Sequence, residues 1–505
     1  MDPALAVDLG EGRSVTGIRE DGVAVFRGIP YAEAPTGAGR FAEPRPAAWT
    51  GVRDARAFGP TAPQPATDVP GLPDLSVVVG PGWVRGEDYL TVDVWTPDPE
   101  ASPGAGALPV MVFVHGGSFV GGAGRTTGYD GTSFARDGVV LVTLNYRVGI
   151  PGFLRLPGAP DNRGLRDQIC ALRWVRDHIA RFGGDPANVT VFGESAGALS
   201  VGALLAAAPA GLFRRAISQS GGASHAFTPA QADRVTAAVA ELLGVPATVD
   251  AFAAIPDEAL VQAVIQVSGA DVDLTVDGVR DPLMGLSKLG PVVDGDLLTE
   301  QPVDAVRKGA ADGVDLLVGS NRDEMNLYLV ALPAPPVTEE ALRAVASGLH
   351  PDPDALVAAY REAGRGESPD EVHSAIGTDY MFAVPTARLA EAHAGRPAAT
   401  WRYEFTWPSP AADGRMGACH GLELPFVFDI VGRIDTGAFG IPSDVPAVRE
   451  LARDTHAAWV AFARDGDPGW PRFTADEPAV RRIDTEWTLT HTADGPERSL
   501  WHNIR

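Results

Sequence analysis

The sequence predicts an α/β fold with a mostly parallel central sheet flanked by helices. Three observations lead there. Residues 110–114 (VMVFV), 139–144 (VVLVTL) and 189–192 (VTVF) are short apolar runs, the pattern of strands buried on both faces of a parallel sheet. An amphipathic stretch over residues 163–182 separates the second run from the third. Leu165, Ile169, Leu172 and Ile179 recur there at spacings near one helical turn, and Gly183 and Gly184 can close it. Strand, helix, strand in that order is a βαβ unit.

The other elements follow from the same signals. The first hundred residues read as short strands, such as 23–26 and 90–95, punctuated by proline and glycine. Residues 60–81, rich in Pro, Ala and Gly, read as a surface loop. Further strands are expected at 216–219, 315–319 and 400–407. Residues about 225–285 and 330–395 break the alternation with helix and loop, including amphipathic pieces at 235–243 and 386–393. Insertions of this kind form the walls and lid of a pocket. No repeat at solenoid or propeller spacing is present. Residues 1–505 therefore read as a single large α/β domain carrying two insertions.

Composition narrows the function classes. The chain has 505 residues, 45% of them hydrophobic, ample for a large core. Acidic residues outnumber basic ones by 65 to 41, giving a formal net charge of -24. Such a chain repels nucleic acid and anionic membranes, and no basic stripe offsets that charge. No apolar run approaches the roughly 20 residues of a membrane span. The opening MDPALAVDLGEG has neither the basic nor the apolar region of a secretory signal. Two cysteines, Cys170 and Cys419, in so long a chain fit a reducing compartment, and no Cys/His spacing suggests a metal site. The expectation is a cytoplasmic protein, a monomer or small homo-oligomer, with no metal and no cofactor.

Gly193-Glu194-Ser195-Ala196-Gly197 matches G-x-S-x-G. Glycine makes up 58 of the 505 residues, so the bare pattern says little. The strand signal before it and the helix-compatible residues 198–208 after it say more. In a strand-to-helix elbow the flanking positions must be small, and the serine hydroxyl projects from the C-terminal edge of the sheet. Ser195 is thus the candidate nucleophile. Glu194 is either a solvated turn residue or a carboxylate that orients a histidine or tunes its pKa.

A serine nucleophile needs preorganised N–H groups for the oxyanion it creates. Ala196, next in the chain, supplies one. His115-Gly116-Gly117-Ser118-Phe119 follows the 110–114 strand, and its Gly117 and Ser118 are the other candidate donors. Gly116 gives that turn backbone freedom, and His115 reads as structural.

An acid and then a histidine should follow the serine in the chain. Residues 314–319 (VDLLVG) form a strand signal, and either Asp323 or Glu324 on the loop after it can serve. Seven histidines lie beyond Glu324. His393 and His456 fall inside helical patterns, His491 and His502 lie near the C-terminus, and His350 and His373 lack flanking glycines or a nearby strand. His420 stands in Gly417-Ala418-Cys419-His420-Gly421, a loop able to present an imidazole to a pocket.

Several longer blocks run through the chain in a fixed order. They are FRGIPYA at 26–32 with residues 35–41, GEDYL at 86–90, HGGSF, NYRVG at 145–149, and NRGLRDQ at 162–168. FGGDPANVTVFGESAG at 182–197, SQSG at 218–221, GSNRDE at 319–324 and GACHGLELPFVF at 417–428 complete the set. Over nearly its whole length the chain resembles the type B carboxylesterases, which include para-nitrobenzyl esterases and cholinesterases. The resemblance implies the α/β-hydrolase fold and a serine esterase acting on small to medium, apolar carboxylic esters. It implies Ser195 as nucleophile, Glu324 rather than Asp323 as acid, and His420 as base. The oxyanion donors fall on Gly117, Ser118 and Ala196, and Ser220 matches a serine that supports the acid.

The chain departs from the family in places. Met325 stands where the family has the glycine of its DEG block. Ser118 replaces a usual Gly or Ala, which narrows the acyl side. Tyr89 replaces a cysteine, so the secreted-type disulfide is absent. Trp83 sits at a different spacing from Glu87 than the choline-binding tryptophan, so a cholinesterase is not expected.

Carbamates, lactones or amides are alternative substrates for the same chemistry. A non-catalytic binding protein on the same fold is the alternative of another class. The intact serine, acid, histidine and elbow glycines count against it. The pocket walls are expected from residues 60–85, 225–285 and 330–395. Phe119, Tyr380, Phe382 and Phe426 are aromatics of either pocket or core.

Overall fold

The computed structural model describes residues 5–67, 74–100, 106–331, 335–491, 495–502 and 504. Its strands are β1 (Leu5–Gly10), β2 (Arg13–Glu20), β3 (Val23–Pro30), β4 (Gly51–Asp54), β5 (Thr91–Thr96), β6 (Leu108–Val114) and β7 (Val140–Leu144). Then come β8 (Gly184–Glu194), β9 (Arg215–Gln219), β10 (Asp315–Asn321), β11 (Thr400–Phe405), β12 (Val480–Ile483) and β13 (Thr488–Thr490). They make one sheet in the order β1-β2-β3-β5-β7-β6-β8-β9-β10-β11-β12-β13, with β4 beside β2. From β7 to β12 every neighbouring pair is parallel. The antiparallel pairs lie toward the β1 edge and at the β12–β13 hairpin. This is the mostly parallel sheet of the α/β-hydrolase fold.

The unbroken apolar runs reflect burial on both faces. Val110, Val112 and Val114 of β6 enter one core with Val140, Val142 and Val191, while Met111 and Phe113 enter a second with Leu141, Phe192 and Ile217. Alternate residues point to opposite faces, so each strand feeds two cores. The helix Arg163–His178 sends Leu165, Ile169 and Leu172 into the first core. The helix Pro446–Asp465 sends Leu451, Trp459 and Phe462 into the second.

The expected insertions are helical. The first holds Pro229–Leu243, Val249–Ala253 and Asp257–Ser268. The second holds Glu339–Leu349, Pro353–Glu362 and Pro369–Thr378, which close a third small core around Leu342, Leu356, Tyr360 and Ile376.

The loop at 60–81 departs from expectation. Part of it, 68–73, lies outside the described residues. Thr61 and Gln64 are buried rather than at the surface, and Ser76–Val79 is a helical turn. Composition identified a loop, but proline and alanine are as compatible with burial as with exposure. Cys170 and Cys419 are both buried and unpaired. Among the described residues no helix is long and apolar enough to cross a membrane.

Candidate active site

β8 ends at Glu194 and the helix Ala196–Ala207 starts one residue beyond Ser195. Ser195 makes the turn alone, at φ 57° and ψ -127°. Such a backbone costs a non-glycine residue on the order of 1–3 kcal/mol and must be held by its surroundings. Its N–H donates to Gln219 O at 3.0 Å, and its carbonyl accepts from Leu199 N–H at 2.9 Å. Space dictates the flanking glycines. A Cβ on Gly197 would stand 2.0 Å from Val114 O, and one on Gly193 2.6 Å from the Gly197 backbone.

The turn after β6 packs against this elbow. A Cβ on Gly116 would lie 3.0 Å from Glu194 Oε2 and 3.1 Å from Ser195 Cβ. Gly117 has φ 106°, and Ser118 and Phe119 follow at φ 54° and 61°. Val120 and Gly121 N–H groups both return to Gly117 O at 3.0 Å. Gln64 fastens the far side, accepting from Gly122 N–H at 2.7 Å and donating to Gly122 O at 3.0 Å.

Among the described residues neither Gly117 nor Ser118 spends its N–H on another group. Ala196 opens a helix, where N–H groups of the first turn lack an intrahelical acceptor. Ser118, Ser195 and Ala196 line one cavity. His115 is structural, stacked on Tyr146 at 4.3 Å with Nδ1 2.8 Å from Gly116 O. Burial pushes its imidazole down to about 4.

β10 delivers the candidate acid. Glu324 is fully buried, its Oε2 2.6 Å from His420 Nδ1 and its Oε1 accepting Asn321 N–H at 2.7 Å. The backbone N–H of His420 donates to Glu324 O at 3.2 Å. Asp323 has a different task. It accepts Ala418 N–H at 2.9 Å and donates its own N–H to Ala418 O at 2.9 Å, bracing the histidine loop. Ser220 does not hydrogen-bond the acid, against what the resemblance implied. Its Oγ is buried and makes no hydrogen bond among the described residues. Ser220 instead makes a turn at φ 58°, with its N–H donating to Gly319 O at 2.8 Å.

Two aromatic rings link the cavity at Ser195 to His420. Tyr328 and Phe382 line the cavity beside Ser195, and their rings lie 5.5 Å and 4.7 Å from the imidazole. His420 Nε2, the nitrogen not facing Glu324, is buried and makes no hydrogen bond among the described residues. Glu194 Oε1 is 3.1 Å from it but not aligned for one.

Three carboxyl groups surround this imidazole. Glu423 accepts from Gln219 Nε2 at 3.1 Å and Asn321 Nδ2 at 2.6 Å, and Trp459 Nε1 donates to Gln219 Oε1 at 3.0 Å. Burial pushes His420 down, but Glu194 and then Glu324 outweigh it and carry the imidazole up to about 9. Burial pushes Glu194 up to about 8, against the pull of His420. Burial raises Glu423 as well. No group of three or more side chains suited to a metal ion occurs among the described residues.

The cavity at Ser195 is small, about 20 Å³, and mostly apolar, with Phe119, Leu199, Leu283, Met381 and Phe382 in its wall. Larger clefts lie elsewhere. One of about 1120 Å³ runs along Arg322, Asp323 and Arg365, and Ser195 does not line it. Among the described residues of 60–85, none lines the Ser195 cavity. The first insertion contributes Leu283, with Leu286 and Ser287 just beyond its expected end, and the second contributes Met381 and Phe382.

Of the four flagged aromatics, Phe119 and Phe382 reach the cavity. Tyr380 packs on Trp501 at 5.6 Å and Phe426 on Phe405 at 5.2 Å. Tyr328 and Met381 went unflagged. Tyr328 carries one sequence signal, its position four residues after Glu324. Met381 and Phe382 sit in a π-helical turn, Asp379–Ala383, a deviation frequent at functional sites and invisible in hydrophobic periodicity.

A family model described as the carboxylesterase family matches residues 3–501. The para-nitrobenzyl esterase of Bacillus subtilis (strain 168) is 38% identical over 498 residues, covering 96% of each chain. The phenmedipham hydrolase of Pseudarthrobacter oxydans is 37% identical over 491 residues, covering 93% of each. A solved PNB esterase structure superposes with a TM-score of 0.84 at 34% identity, covering 99% of both chains.

Proposed function

The chain belongs to the carboxylesterase family and hydrolyses carboxylic esters, and we propose that Ser195, His420 and Glu324 are the residues that do so. The observation that carries this is the 2.6 Å contact between Glu324 and His420 Nδ1, with Tyr328 and Phe382 both packing on the imidazole and lining the cavity at Ser195. Ser195 attacks the ester carbonyl as its proton passes to His420 Nε2. The carbonyl oxygen becomes an oxyanion held by the N–H groups of Gly117, Ser118 and Ala196. Collapse breaks the bond to the alcohol oxygen, which takes the proton from Nε2. Water, giving a proton to Nε2, then attacks the acyl-enzyme, and Ser195 leaves with that proton. Glu324 fixes the tautomer and steadies the imidazolium. No step calls for a metal or cofactor.

The substrates we propose are small to medium apolar carboxylic esters, which suit a wall of Phe119, Leu199, Leu283 and Phe382. Carbamates are the second reading, favoured by the likeness to a phenmedipham hydrolase. Residues 1–505 are read as one domain whose insertions at 225–285 and 330–395 help to wall the pocket. Two buried, unpaired thiols support a reducing, cytoplasmic location. The enzyme is read as a monomer or small homo-oligomer.

A fluorophosphonate probe tests the nucleophile. One adduct is expected, on the peptide carrying Ser195, with loss of p-nitrophenyl ester hydrolysis in step with labelling. An adduct on another residue, or activity that survives full labelling, contradicts the assignment.

The pH profile tests the base. His420 must be neutral to accept the Ser195 proton, and its pKa is raised, so kcat/KM should climb with pH well beyond the range of a free imidazole. Glu194→Gln removes the carboxylate that contributes most to that rise. Its acid limb is expected on the order of one pH unit lower. A limb that stays in place argues against a Glu194 influence on the base.

A further inference from the structure

We propose that Asp379, which lies outside the cavity wall, is a positioning residue for this ester hydrolysis: held by Arg498 of the C-terminal segment, it fixes the π turn that sets Phe382 against His420. The inference rests on the reading of His420 as base and goes beyond the triad and oxyanion donors.

One carboxylate gathers the contacts. Asp379 is fully buried. Its Oδ1 accepts from Arg498 Nε at 3.1 Å, and its Oδ2 accepts from the Tyr360 hydroxyl at 2.7 Å and stands 3.4 Å from Arg365 Nη1. The C-terminal turn Pro496–Trp501 is tied to the same partners twice more. Trp501 Nε1 donates to the Tyr360 oxygen at 2.8 Å, and Arg365 Nη1 donates to Glu497 Oε1 at 3.0 Å. Trp501 itself enters the third core with Leu342 and Ile376. Burial opposes the charge on Asp379, but Arg498 and then Arg365 outweigh it and keep the carboxyl below its ordinary value.

The backbone of the same residue closes the turn. Val384 N–H donates to Asp379 O, five residues back, where the helix Pro369–Thr378 passes into Val384–Ala394. The loop so closed carries Met381 and Phe382 into the cavity wall at Ser195, and the Phe382 ring lies 4.7 Å from the imidazole of His420. Single π turns are rare, so this one needs a reason to persist. Relaxation to α geometry would shift the register by one residue, about 100° around the axis, and carry Phe382 off the imidazole. A buried ion pair adds little net stability but can select one arrangement over another. Asp379 is placed to make that selection, with its side chain on the C-terminal segment and its carbonyl in the π bond. Phe382 then limits the swing of the imidazole while Glu324 fixes its Nδ1 side, and together they orient Nε2 for the Ser195 proton.

Asp379→Asn tests this, with p-nitrophenyl acetate turnover expressed per site titrated to completion by fluorophosphonate. Turnover per labelled site is expected to fall on the order of tenfold, since a slight misplacement of a base slows the proton transfer it serves. A merely structural role would instead leave fewer labelled sites, each turning over as in the wild type. A fall per site of less than about threefold overturns the proposal. Phe382→Ala should lose at least as much, and the double variant Asp379→Asn, Phe382→Ala should be no slower than Phe382→Ala, because both changes remove one contact. Losses that multiply in the double variant overturn the proposal, as does wild-type turnover by Phe382→Ala. Where Asp379→Asn fails to fold, Arg498→Met carries the same cycle from the C-terminal side, and Arg498→Lys, which keeps a cation at Asp379, should recover most of the loss. The base reading fails on a different result: a His420→Ala protein with near wild-type turnover sinks it, and the Asp379 role falls with it.

Discussion

Ser195→Ala is expected to lower kcat for a p-nitrophenyl ester by on the order of 10⁴–10⁶-fold while leaving the protein folded. The loss is large because the hydroxyl forms the bond that divides one difficult hydrolysis into two easier steps. What survives comes from the oxyanion N–H groups of Gly117, Ser118 and Ala196 and from substrate binding, neither of which needs Oγ. The fold survives because the substitution removes one oxygen from a partly exposed side chain and keeps the Cβ. The strained backbone at φ 57° is held by the Gln219 and Leu199 bonds, which involve only main-chain atoms of residue 195. Kinetics and a denaturation curve on the same preparation check both halves. Turnover within tenfold of wild type removes Ser195 from the mechanism. The double variant Ser195→Ala, His420→Ala should be no slower than Ser195→Ala, since a base with no hydroxyl to activate contributes nothing further.

The parts of this site that sequence revealed are the local ones. The elbow is legible because five consecutive residues, a strand before them and a helix after them all express one turn. The turn after β6 is legible for the same reason. The acid is less so. Asp323 and Glu324 share a loop, and what separates them is a contact to a residue 96 positions away in the chain. No local pattern encodes that distance. The family resemblance selected Glu324, and the geometry gives Asp323 its own work on Ala418. The same resemblance pointed to Ser220 as support for the acid, but here its hydroxyl makes no hydrogen bond among the described residues.

Phe382 depends on a π turn within DYMFA, a segment that reads as ordinary helix. Gln64 illustrates a different limit. A glutamine among prolines and alanines gives no sign of burial, yet it clamps Gly122 from both sides and so holds the turn after β6. The short edge strands β1, β2, β4 and β13 were legible only as strand-like stretches or not at all, because half-exposed edges carry weak patterns.

The largest loss of stability is expected at Asp167, well outside the chemistry. Arg147 and Asp167 are both fully buried. The carboxylate takes Arg147 Nε at 2.8 Å, Nη2 at 2.7 Å and the Arg147 backbone N–H at 2.9 Å. The remaining guanidinium nitrogen donates to Ala42 O at 2.7 Å and Arg40 O at 3.1 Å. One ion pair therefore joins the segment after β7, the helix Arg163–His178 and the N-terminal loop that packs beneath them. Asp167→Asn leaves the arginine charge in a dry interior with no counter-ion, which costs about 3–5 kcal/mol. A matching drop in the denaturant midpoint, with unchanged m-value, is the expected reading.

The pair itself need not stabilise the protein relative to apolar residues. Arg147→Met with Asp167→Leu should recover most of the loss, because replacing both partners removes the desolvation cost together with the attraction. A midpoint for Asp167→Asn within about 1 kcal/mol of wild type would mean that water or a displaced carbonyl compensates the charge. Two residues after Arg147, Gly149 N–H donates to Phe119 O at 2.7 Å, so the ion pair also backs the turn after β6. Below its lowered midpoint the Asp167→Asn protein should still label with fluorophosphonate at Ser195, which Ser195→Ala cannot do at any temperature. That contrast separates the scaffold from the nucleophile it carries.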